Sequence, residues 1–96
     1  MKVSFFAGLR QIVGKKSVDI QLSNGVTVSQ LIEEIVRTFP ALERELLDEH
    51  KNLYPHVHIV INGRAIQFLE GGIHRQISNE DNISIFPAIG GGWYYV

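Results

Sequence analysis

The chain has 96 residues, 45% apolar and 20% charged, with both signs of charge interspersed and a net charge of −1. That fits one globular domain, since separate cores need ~100 residues each, and gives no reason to expect nucleic acid or an acidic membrane as partner. No segment approaches the ~20 apolar residues of a membrane span, and the opening MKVSFFAGLR lacks the apolar core and cleavage site of a signal peptide, so a cytoplasmic protein is expected.

Val3 and Phe5 alternate with Ser4 and Phe6, which predicts a short strand ending near Ala7-Gly8. After Gly14-Lys15-Lys16, the run SVDIQL sets Val18, Ile20 and Leu22 on one face and predicts a second strand, in a hairpin with the first. Ser23-Asn24-Gly25 reads as a turn. The period then changes. Val28, Leu31, Ile32, Ile35, Val36 and Phe39 fall at helical spacing. Thr27 with Gln30 makes a capping-box pattern, Val26 and Leu31 occupy the staple positions, and Pro40 stops the helix. ALERELLDEH predicts a second, shorter helix, and 52–55 a loop. HVHIVING reads as a strand, with Asn62-Gly63 turning into a short strand at Arg64-Ala65-Ile66. Ser78 to Asn82 form a polar turn before a last strand, ISIF, which Pro87 ends. The expected architecture is an α+β roll, a mixed sheet around one main helix, with the first and last strands adjacent and parallel.

No constellation for catalysis emerges. His56 and His58, two apart on the predicted strand, share a face, but no third metal ligand follows at a familiar spacing. Glu33-Glu34 and Asp48-Glu49 are helix neighbours about 100° apart and do not converge on one atom. Gly71-Gly72 lacks the spacing of a phosphate loop and reads as a tight turn. The absence of cysteine removes disulfides, thiolate nucleophiles and cysteine-bound metals together. No catalytic and no metal-binding residue is assigned.

Two features remain. If Val3, Phe5, Ile83 and Ile85 fill the core, Phe6 and Phe86 share the opposite sheet face. There they form, with Pro87, either a docking surface or a patch covered by the second helix or the chain's own end. The chain then closes with Ala88-Ile89-Gly90-Gly91-Gly92 and Trp93-Tyr94-Tyr95-Val96. Glycines without Cβ atoms let a chain thread a tunnel too narrow for other residues. Fully extended, 88–92 reach about 17 Å, far enough to enter a partner's active site while the body stays outside.

KVSFFAGLRQ, GVTVSQLIEEI, IVINGR and ISNEDNISIFPAIGGG together resemble the ubiquitin-like sulfur carriers of the MoaD/ThiS type, over nearly the whole chain. The ending from FP to a diglycine at fixed spacing is the most specific element. The resemblance implies a β-grasp fold, four to five strands around one main helix, over 1–92. It implies that the working group is the main-chain carboxylate of Gly92, preceded by Gly91, with Ala88, Ile89 and Gly90 as tether. An E1-like enzyme would adenylate that carboxylate with ATP, sulfur would replace the adenylate, and the thiocarboxylate would serve a sulfur-accepting biosynthetic enzyme.

The sequence departs from the family pattern at its end. Trp93 to Val96 follow the diglycine, and the resemblance implies that a JAMM-type metalloprotease removes such an extension. A longer middle region, 41–55, is similar to the branch that feeds cysteine or homocysteine synthesis, more than to the molybdopterin or thiamin branches. Two other readings stay open: a protein modifier conjugated through Gly92, and an unprocessed module whose WYYV packs on Phe6 and Phe86 or docks in a partner.

Overall fold

The computed structural model describes residues 1–23 and 25–87. Five strands form one sheet: β1 (Lys2–Phe5), β2 (Ser17–Asp19), β3 (His58–Ile61), β4 (Arg64–Ala65) and β5 (Asn82–Phe86), in the spatial order β2-β1-β5-β3-β4. β1 and β5 pair in parallel, Val3 opposite Ile83 and Phe5 opposite Ile85, as the roll requires. The other pairings are antiparallel. The β3–β4 turn carries positive φ at both Asn62 (50°) and Gly63 (88°), the backbone of a tight hairpin, which only glycine and short polar residues adopt readily.

The main helix, α2 (Val28–Thr38), lies against one face of this sheet, and its start is built as its sequence dictates. The Gln30 amide donates to Thr27 Oγ1 (3.2 Å) while the Thr27 amide donates to Gln30 Oε1 (2.9 Å), so two otherwise orphaned donors satisfy one another's side chains. Val28, Leu31, Ile32 and Ile35 are buried against Val3, Phe5, Ile59, Ile83 and Ile85 in one apolar core. Each such side chain contributes about 1.5–3 kcal/mol by leaving water. Phe5 meets Phe39 edge to face, centroids 6.3 Å apart at 72°.

Four details differ from the sequence expectation. Between β1 and β2 stands a helix, α1 (Gly8–Val13), closed by Gly14 in the left-handed conformation, so the two strands pair without a tight turn. β2 stops at Asp19, although the Ile20 amide still donates to the Met1 carbonyl (2.9 Å). The second helix is reduced to a 3-10 turn, Pro40–Leu42, and α3 (Glu43–Leu46). Asp48 explains why: its Oδ1 accepts from the amides of His50 (2.8 Å) and Asn52 (3.0 Å), and this local capture competes with helical bonding. Finally, β3 begins at His58, so His56 is not its face-mate; it lies in the preceding turn, its ring stacked on Tyr54.

The turn before β5 is latched by side chains. Asn62 Nδ2 donates to Asp81 Oδ1 and Asn62 Oδ1 accepts from the Asn82 amide, both at 2.9 Å, while Asp81 Oδ2 accepts from the Ser78 amide (2.9 Å). The Ser78 amide bond, more than any other influence, holds the Asp81 carboxyl below its ordinary value against an opposing push from burial.

Candidate functional site

The predicted site residues fall into two groups. Ala88 through Val96, which include Gly90, Gly91, Gly92 and the WYYV extension, lie outside the described residues, as does Asn24 of the predicted turn. Phe6, Phe86 and Pro87 are described, and they lie at the ends of β1 and β5.

Alternation along β1 and β5 sends Val3, Phe5, Ile83 and Ile85 inward, all at most 1% exposed. Phe6 and Phe86 therefore emerge on the other face, side by side because the strands run parallel in register. The Phe6 amide donates to the Ile85 carbonyl (3.2 Å) and fixes the first ring beyond the strand's formal end. The two rings stack, centroids 4.3 Å apart and planes 11° from parallel, and both remain half-buried. Pro87 is buried, so the accessible part of this surface is the aromatic pair.

The chain turns sharply at Ala7 (φ 52°), where the Phe6 and Ala7 carbonyls accept from the Leu9 and Arg10 amides. This turn aims Arg10 back at the strand. Arg10 Nε donates to the Phe5 carbonyl (3.1 Å), and its guanidinium lies 5.4 Å from the Phe6 ring centroid. The cation over the ring face is worth ~0.5–1 kcal/mol at an accessible site. Arg10, Phe6 and Phe86 thus form a layered patch, charged at one edge and apolar in the middle. On the neighbouring strand His58 stands opposite Phe86 in register.

Pro87 also walls a small hollow together with Arg44, Glu45, Tyr54 and His56. The Tyr54 and His56 rings are 5.0 Å apart and 14° from parallel. Sequence reasoning missed this wall and the placement of Arg10. Both depend on turns whose direction no periodicity encodes. Among the described residues, no group of three His, Cys, Asp or Glu side chains is placed to hold a metal ion, and no helix is long and apolar enough to cross a membrane.

Aromatic rings and an arginine thus gather near the end of β5, and the chain as a whole is similar to known proteins. The small archaeal modifier protein 3 of Haloferax volcanii is 28% identical over 92 residues, covering 96% of this chain and 98% of its own. The sulfur carrier protein CysO of Mycobacterium tuberculosis is 28% identical over 81 residues, covering 82% of this chain and 83% of its own. The crystal structure of SAMP1 from Haloferax volcanii superposes with a TM-score of 0.83 at 26% identity, covering 96% of this chain and 98% of that one. The ThiS family model matches residues 3–92. The fold is the β-grasp of ubiquitin-like proteins, and the chain belongs to the ThiS family, the MoaD/ThiS-type ubiquitin-like sulfur carriers.

Proposed function

We propose that this chain is a sulfur carrier that works through the main-chain carboxylate of Gly92, after removal of Trp93–Val96. The observation that supports this reading most strongly is where the family match stops: at Gly92, one residue before the extension. A carboxylate on Val96 would present a bulky end, whereas one on Gly92 ends a chain without side chains. The new carboxyl would have an ordinary pKa of about 3.3–3.7 and be ionised near neutrality.

In the activating enzyme, a carboxylate oxygen of Gly92 attacks the α-phosphorus of ATP and pyrophosphate leaves. Hydrosulfide then attacks the acyl carbon, the C–O bond to the phosphate breaks and AMP departs, which yields the thiocarboxylate with no change of oxidation state. The aromatic pair and Arg10 offer the docking surface for that E1-like partner, and a sulfur-accepting biosynthetic enzyme takes the product. The length of 41–55 favours cysteine or homocysteine synthesis as the receiving chemistry over molybdopterin or thiamin. A JAMM-type metalloprotease is the proposed source of the cut.

A second reading, conjugation of Gly92 to lysines of other proteins, is favoured by the modifier named among the relatives. Intact-mass measurement of the protein from its native host tests both. Loss of WYYV with one terminal oxygen exchanged for sulfur supports the carrier. Lysine-linked adducts that carry Gly92 support the modifier. Chains that all still end at Val96 overturn both.

A further inference from the structure

A groove of about 440 Å³ opens on the body beside the exit of the tail. Its floor is aliphatic, with Leu53, Val57, Ile66 and Ile73, and its rim holds Asn52 and Gln67. Among the described residues no Asp, Glu, Lys or Arg lines it. Two short 3-10 helices, Ile66–Phe68 and Gly72–His74, form its walls. These helices carry Phe68 and Ile73, 73% and 38% exposed, two of the three large apolar side chains that the described residues leave exposed. The side chains are of the kind that a folded chain covers.

The groove reaches the exit by two routes. Tyr54 belongs both to it and to the hollow that Pro87 walls. His58, also in its lining, stands opposite Phe86 across the β3–β5 pair, a strand spacing of about 5 Å. Five residues, 88–92, separate Pro87 from Trp93 and span up to about 17 Å, against extents of 36 × 27 × 27 Å.

We propose that Trp93–Val96, while still attached, occupy this groove of their own chain. The chemistry matches on both sides. Residues 88–96 carry no charged side chain, and an indole, two phenols and a valine suit an aliphatic floor with amide groups at the rim. The hollow between α2 and α3 is a poorer fit, because Glu33, Glu43 and Lys51 line it. In the bound position the WYYV end lies on the body rather than in a partner, so the extension holds the tether back as well as blocking its tip. This goes beyond the proposed function, because it requires neither cleavage nor activation.

The sole tryptophan of the chain, Trp93, reports on the groove directly. In the purified 96-residue protein its emission is expected to be blue-shifted, and its quenching by acrylamide several-fold weaker, relative to the free peptide WYYV. Ile73→Glu should restore the peptide's behaviour, whereas Ile12→Glu, an equally exposed isoleucine on α1, should not. Amide chemical shifts of the unmutated 1–96 and 1–92 chains give an answer even if Ile73→Glu fails to fold. Differences clustered at Leu53, Ile66 and Ile73 support the proposal. Peptide-like emission in the intact chain, shift differences at Phe6 and Phe86 or nowhere, or burial that grows with protein concentration overturns it. Both readouts use the isolated chain, so they stand or fall separately from the cleavage and adenylation of Gly92.

Discussion

The rings of Phe6 and Phe86, eighty residues apart in sequence, stack 4.3 Å apart at the point where the chain leaves its sheet. As the proposed docking surface for an activating enzyme, this pair should behave as an interface anchor. Phe86→Ala is expected to raise the carrier's KM by about 10–100-fold with little change in kcat, since hot-spot truncations cost ~2 kcal/mol or more. Arg10→Ala should cost less, about 0.5–1 kcal/mol. Steady-state adenylation with ATP in excess, on trimmed chains of verified fold, measures both. Equal kcat losses without a KM change would count against docking.

Gly92→Ala tests the tip itself. If the absence of a Cβ lets the chain thread its partner, adenylation of the trimmed variant should fall by about tenfold or more, roughly 1.4 kcal/mol of barrier. The measurement is pyrophosphate release, and an unchanged rate removes the steric argument.

Stability should be most sensitive at the central seam. Phe5 is fully buried and packs edge to face on Phe39. Phe5→Ala is expected to cost about 3–5 kcal/mol from lost transfer energy and the cavity left behind. Urea denaturation should show the midpoint fall sharply, or the chain unfolded outright.

The capping box gives a milder, local test. Thr27→Ala leaves the Gln30 amide without its side-chain acceptor and should cost about 0.5–2 kcal/mol. Thr27→Asn, which keeps an acceptor, should recover most of it in the same denaturation experiment.

Acid should loosen the turn before β5. The Asp81 carboxyl titrates below its ordinary value of 3.8, chiefly because it accepts the Ser78 amide. A depressed folded value means that the unfolded chain binds the proton first. Its contribution is therefore present above about pH 4 and is lost as pH falls through the folded value. Asp81→Asn, which cannot titrate, should flatten the pH dependence of the urea midpoint below pH 4. An unchanged slope would assign that dependence to other carboxylates.

The sheet and its main helix were readable because their signals are local. Period-two alternation placed Val3, Phe5, Ile83 and Ile85 inward, and the Thr27–Gln30 pattern placed the start of α2. Parallel adjacency of β1 and β5 then brought Phe6 to Phe86 without further information. What escaped was written in short elements or distant partners. α1 spans only six residues, Gly8–Val13, too few for a period to declare itself. α3 was shortened by the Asp48 side chain, whose bonds to His50 and Asn52 outcompete helical continuation. Asn79 clamps Leu22 through two hydrogen bonds across 57 residues, a contact that no window along the chain contains. Residues 88–96, read from composition and resemblance alone, lie outside the described residues.

The position of β5 also has a mechanical meaning. It sits inside the sheet with β1 on one side and β3 on the other, and the tail continues from its end. A pull directed along β5 from its end at Phe86 would load its hydrogen bonds to β1 and β3 together, in shear, instead of peeling them one rung at a time. The body would resist such a pull through two strand pairings at once.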